Sequence, residues 1–175
     1  MRTETRNEQE GDKTAGASLA RLLRGYADAL LPSPLTAEGL AHSLGLAATP
    51  DPSAGGLRAF PADHRVRDAL IMVRGEPGRP VLRGMTVRLR PDAGLSPQSL
   101  EAVFGPGRRA PSRVTGRPPR LRIQPRIAYT YNPSGAPAGG PVVVAVFATL
   151  SGPAGAAATQ VTEVFLRRDD LSSLG

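Results

Sequence analysis

Cysteine is absent from this sequence. Disulfides and thiolate metal sites are therefore impossible, and a small disulfide-stapled secreted scaffold is excluded. Tryptophan is absent too, and the aromatics are three Tyr and four Phe, so the core must come from Leu, Val, Ile and Ala. Lysine is nearly absent: 21 of the 22 basic residues are Arg. No apolar run is long enough for a membrane span. The opening stretch "MRTETRNEQEGDKTAGAS" lacks the basic start and apolar run of a signal peptide. These absences predict a soluble, cytoplasmic protein.

Chemistry-bearing residues are scarce. The two histidines are His42, off the leucine face of a short predicted helix, and His64, beside Asp63 in "PADHRVRD". An Asp–His neighbour pair orients an imidazole, but a base also needs a nucleophile or a held water. No serine elbow, zinc-spaced histidine pair, phosphate loop or calcium loop accompanies it. "GPGRRA" from Gly105 follows a predicted helix, whereas a dinucleotide fingerprint follows a strand. The expectation is a non-catalytic protein with no metal and no cofactor. A deep pocket around Asp63, His64 and Asp68 would argue for an enzyme.

What is present is periodicity. The chain has 175 residues, 40% of them apolar, with 20 Gly and 18 Pro falling between periodic segments. Residues 1–13 are polar and charged and are expected to be a disordered tail. Leu19, Leu22, Leu23, Tyr26 and Leu30 then mark one face of a helix from about Ala15 to Leu31, stopped by "PSP".

Two segments sixty positions apart share a pattern: "LTAEGLAHSLG" from Leu35 and "LSPQSLEAVFG" from Leu95. Thr36 and Ser96 suit N-caps, Leu35 and Leu40 a hydrophobic staple, and Pro97 the first helical position. Gly45 and Gly105 suit left-handed helix ends. Each helix is followed by a long loop and then strands: "RDALIMVRG" and "RGMTVRLR" after the first, "RIAYTYN", "PVVVAVFATLSG" and "TQVTEVFLRR" after the second. "GLRAF" is expected to pair with "RIAYTYN". The pattern predicts an α+β fold of two tandem repeats, each a short helix followed by an antiparallel meander, plus the N-terminal helix. The boundaries read as 1–13, 14–34, 35–92 and 93–170.

Alternation assigns the faces. Met85, Val87 and Leu89, with Thr162, Val164 and Leu166, should pack on the helices. Thr86, Arg88 and Arg90, with Glu163, Phe165 and Arg167, should face away. Tyr129 and Tyr131 either join that second face or belong to the core.

Together "LTAEGLAHSLG", "LSPQSLEAVFG", the Tyr pair of "IAYTYN" and the closing "TEVFLRR" resemble the β-lactamase-inhibitor-protein-like superfamily, whose unit is related to that of outer-membrane assembly lipoproteins of the SmpA type. The resemblance spans about Leu35 to Arg168. It implies a protein-binding module that docks through an open sheet face. On this chain the implied partner surface is Arg88, Arg90, Tyr129, Tyr131, Phe165 and Arg167.

Charge supplies the rival. The net charge is +7, and no acidic residue lies between Glu101 and Glu163. Arg108, Arg109, Arg113, Arg117, Arg120, Arg122 and Arg126 all fall there. This reads either as a solvated loop or as an anion-binding element for nucleic acid.

Overall fold

The computed structural model describes residues 4–32, 36–74, 81–118, 120–132, 142–152 and 159–170. Three α-helices lie among them: α1 (Glu4–Ala29), α2 (Ala37–Ser43) and α3 (Pro97–Phe104). Eight strands are present: β1 (Ala48–Asp51), β2 (Gly56–Ala59), β3 (Val66–Arg74), β4 (Val81–Leu89), β5 (Arg108–Thr115), β6 (Arg122–Tyr131), β7 (Val142–Leu150) and β8 (Val161–Asp170). They form one antiparallel sheet in the order β1-β2-β3-β4-β8-β7-β6-β5. The fold is α+β. Each half of the sheet comes from one stretch of chain, and β4 and β8 join the halves from Gly84↔Arg167 to Arg88↔Glu163.

The helices form as the sequence predicts. The Thr36 hydroxyl accepts from Gly39 N at 3.0 Å and the Ser96 hydroxyl accepts from Ser99 N at 3.2 Å, capping α2 and α3. Leu46 N donates to Ala41 O and Gly45 N to His42 O, the paired bonds of a glycine-terminated helix, with Gly45 at φ 63°. Gly105 differs: its φ of 81° is joined to ψ −173°, so it turns the chain out of α3 without a left-handed helical residue. Leu35 lies outside the described residues.

One contiguous core lies between the helices and one face of the sheet. Leu19, Leu23 and Leu30 of the α1 region are fully buried, as are Leu40 of α2 and Leu100 of α3. They meet Ile71, Met85, Val87, Val146, Val164 and Leu166 from the four central strands. In β8 the buried residue is Val161 rather than the expected Thr162, because the register with β7 shifts between Thr149 and Leu150 and leaves Thr162 bonded to Thr149 O.

Several expectations need correction. The helix begins at Glu4, within the expected tail; Glu, Gln, Arg and Lys there are good helix formers even without an apolar face. Gly56–Ala59 pairs with β1 and β3, not with β6. Strand β1 was hidden by its four-residue length and by Pro50, which an edge strand tolerates. The arginine-rich segment is a hairpin, β5–β6, rather than a loop. Its bulge sets Pro111 and Ser112 opposite Pro125, where missing N–H groups forbid a regular ladder.

Candidate functional site

All the described helices pack on one face of the sheet, so no described element covers the other. Strand register fixes what that open face carries. One row runs across all eight strands: Thr49, Arg58, Leu70, Thr86, Phe165, Phe147, Ala128 and Arg108. A neighbouring row holds Asp68, Arg88, Glu163, Thr149, Arg126 and Ala110. Charged and apolar side chains therefore lie side by side, which a plain solvent face does not require.

At the middle of these rows is a cleft of about 560 Å³, within the roughly 300–1,000 Å³ range of ligand clefts. Leu70, Met72 and Phe165 supply its apolar lining, and Arg58, Arg83, Arg88, Arg113 and Arg126 its charge. Among the described residues Glu163 is the one acidic residue lining it. Phe147 stacks on Phe165 with ring centroids 6.1 Å apart. The Arg126 and Arg167 guanidinium groups lie 4.8 and 5.3 Å from the Phe147 centroid.

The ionic partners are unequal. Asp68 is buried and accepts from Arg88 Nε at 2.7 Å, with Arg58 Nη1 at 3.5 Å and Arg67 Nε at 3.8 Å. Asp51 beside the cleft takes Arg58 at 2.7 Å. Its carboxyl is lowered to about 2, first by the Ser53 hydrogen bond and then by that of Arg58. Glu163 pairs with Arg113. Among the described residues Arg126 has no such partner: burial, then the positive charge of Arg113, push its guanidinium below the ordinary value, against the pull of Glu163 and with a lesser push from Arg167. Among the described residues Arg88 Nη2 and Arg126 Nε are buried without a hydrogen-bond acceptor.

The structure sorts the candidate residues. Arg88 and Phe165 line the cleft, and Arg167 lies one row away, paired with Asp169 at 2.7 Å. Arg90 lies just past β4, exposed, with its backbone N–H on Arg65 O. Tyr129 and Tyr131 are on the opposite, helix-packed side and are 2% and 6% exposed. Tyr129 lies against Phe104 and its hydroxyl reaches Pro97 O at 3.4 Å. The Tyr131 hydroxyl donates to Asp28 and accepts from Arg24 Nε. They are removed from the partner surface, because the parity that puts Arg126, Ala128 and Thr130 on the open face puts the tyrosines under α1 and α3.

Of the seven arginines expected to bind anions, Arg113 and Arg126 enter the cleft. Arg108, Arg109, Arg117, Arg120 and Arg122 are exposed along the hairpin and its turn. Sequence reasoning missed Arg58, Arg83 and Phe147, and singled out Asp68 only for a catalytic pocket. Arg58 was within reach, since it alternates with Leu57 and Ala59. Phe147 was concealed in a strand apolar on both faces.

His42 and His64 are exposed, and the hypothetical Asp63–His64–Asp68 pocket does not form. Asp63 is taken by Arg65, which also bonds Ala15 O and Ser18 on α1, while Asp68 faces the open side. Among the described residues no three His, Asp or Glu side chains gather as metal ligands. No described helix is long and apolar enough to cross a membrane.

Comparison with protein-family models, curated proteins and solved structures finds no match.

Proposed function

We propose that this protein is a non-catalytic binding module, of the inhibitor or adaptor kind, whose open sheet face docks a negatively charged protein. The observation that carries this is the cleft, whose described lining sets five arginines and one glutamate around Leu70, Met72 and Phe165. Arginine and aromatic side chains on one concave face are the residue types that dominate interface energies. The arginine excess suits an acidic partner and would speed its approach. The reading takes the chain as two tandem copies of one β-lactamase-inhibitor-protein-like unit. Its support is the capped helices at the same sixty-residue offset and the sheet order that runs symmetrically outward from β4 and β8.

One observation favours a second reading. Outside the cleft the β5–β6 hairpin exposes five arginines, and an arginine-rich two-stranded ribbon can contact the phosphates of nucleic acid.

A photo-crosslinking residue in place of Phe165, compared with one in place of exposed Glu38 on α2, separates the readings. The proposal expects a protein adduct from position 165, none from position 38, and no change on nuclease treatment. A nuclease-sensitive adduct, strongest from position 120 and lost steeply with salt, would replace it with the nucleic-acid reading.

A further inference from the structure

We infer that the outer end of the β5–β6 hairpin anchors on an anionic lipid surface, with Val114, Leu121 and Ile123 entering the headgroup layer and Arg117, Arg120 and Arg122 holding lipid phosphates. This surface lies apart from the proposed docking face, and the inference does not rest on that face.

The hairpin carries two unlike sets of side chains, and the register separates them. β6 pairs with β7 only as far out as Arg126↔Thr149, whereas its pairing with β5 continues to Thr115↔Arg122. The last three pairs therefore form a two-stranded ribbon with no third strand paired to it among the described residues. Arg113, opposite Gln124, points to the open face, where it meets Glu163. Successive residues of a strand alternate, so the next pair, Val114↔Ile123, points to the helix side. Ile127 and Tyr129 share the parity of Ile123 and pack on the core. Val114 and Ile123 lie farther out, beyond the cover of the described helices, and are 60% and 72% exposed. Leu121 follows toward the turn and is 53% exposed. Five large apolar side chains are exposed among the described residues, and three of them are on this hairpin. Scattered singly they would need no explanation, but a cross-strand pair with a third beside it is a patch.

Charge surrounds the patch. Arg117, Arg120 and Arg122 are exposed and have no ion-pair partner among the described residues, and the chain has no acid between Glu101 and Glu163. Basic and apolar side chains together are the features that bind an anionic membrane, arginine to the phosphates and apolar groups to the acyl boundary. Arginine suits that level because its apolar stem lies along the lipid while its head stays with the phosphates. Insertion stops in the headgroup layer, since β5 is an edge strand whose free N–H and C=O groups need water.

Other occupants fit less well. Nucleic acid would take the arginines and leave the three apolar side chains in water. A second copy would set this arginine cluster against itself. Three apolar residues on a two-stranded tip fall short of the roughly 20–30 residues a side that a stable protein interface uses. A lipid surface needs neither that area nor a matching shape.

The chain contains no Trp, so Ile123→Trp places a single reporter at the tip. The full chain is titrated with vesicles of phosphatidylcholine containing about one-third phosphatidylserine, with vesicles of phosphatidylcholine alone, and with a single-stranded oligonucleotide. The emission should shift to the blue with the anionic vesicles and be quenched by brominated acyl chains. Vesicles of phosphatidylcholine alone should bind at least about tenfold more weakly, because three arginines lose their phosphate-rich, negatively charged partner. Phe60→Trp, an exposed site in the other half of the sheet, should show no shift. In co-flotation, Val114→Thr with Ile123→Thr keeps both residues β-branched and should weaken vesicle binding about tenfold or more. Arg117→Gln, Arg120→Gln and Arg122→Gln should each weaken it about fivefold at low salt. All five sites are exposed, so the core is untouched.

No blue shift with the anionic vesicles overturns the inference. So does vesicle binding that survives the Val114→Thr and Ile123→Thr changes, which would leave only diffuse charge attraction. An oligonucleotide that shifts the emission at lower concentration than the vesicles assigns the hairpin to nucleic acid instead. A shift that grows with protein concentration alone assigns it to self-association. Each of these results leaves the proposed docking face standing.

Discussion

The tyrosines show what a single side chain reports about this fold. All three Tyr of the chain are buried against the helix layer. Burial and the charge of Glu101 push Tyr129 up to about 12. Burial, with Asp63 behind it, raises Tyr26. Burial and the hydrogen bond to Asp28 raise Tyr131, against a smaller opposing pull from Arg24. The unfolded chain ionises these phenols near 10, while the folded chain keeps them neutral. Their contribution to stability is therefore complete below pH 10 and is lost as pH rises from there through their raised folded values, about 12 for Tyr129. Phenolate absorbance should be absent below pH 10 and should appear together with unfolding. Tyr129→Phe should make the alkaline loss shallower. At neutral pH it should cost no more than about 1 kcal/mol, because among the described residues the hydroxyl has only its long bond to Pro97 O. A tyrosine ionising normally in the folded chain would contradict the burial described here.

The elements differ in how much of their stability is local, and this decides how legible each was in the sequence. The apolar stripe of α1 and the caps of α2 and α3 are set by residues three or four apart, so periodicity and Thr36 or Ser96 suffice to find them. The pairing of β2 with β1 and β3 depends on chain closure that no local pattern encodes, and alternation alone misassigned it. The same limit applies to the site. Arg88 and Phe165 were found because their strands alternate cleanly, whereas Phe147 and the cleft itself appear only when β7 and β8 are laid side by side. Tyr129 and Tyr131 alternate just as cleanly, but nothing in their strand says which face the helices take. A paired substitution measures the contrast between local and tertiary stability. Thr36→Ala removes one N-cap and should cost about 1 kcal/mol. Leu23→Ala opens a fully buried site between α1 and the sheet and should cost roughly 2–5 kcal/mol. Urea titrations of the two variants give the comparison directly, and equal costs would mean that α1 is only loosely held.

At the scale of the whole molecule, α1 ties the two halves of the sheet together. It packs on α3, and its Arg24 and Asp28 engage Tyr131 in β6, all from the second half. Its Ala15 carbonyl and Ser18 hydroxyl meanwhile bond Arg65, just before β3 in the first half. The other tie is the β4–β8 ladder at the centre of the sheet, where Met85 lies opposite Leu166 and Val87 opposite Val164. Cutting the chain after residue 92 would separate β4 from β8, leave an apolar strand edge, and uncover the α1 surface that meets α3. A half of this size has little core to spare. Fragments 1–92 and 93–170 should therefore lack a native near-ultraviolet circular dichroism signal when alone. Mixed in equal amounts they should recover it as a one-to-one complex on a sizing column. A fragment that folds alone as a monomer would show that the central ladder and α1 are dispensable to its half, and the open face would then be two separate surfaces rather than one.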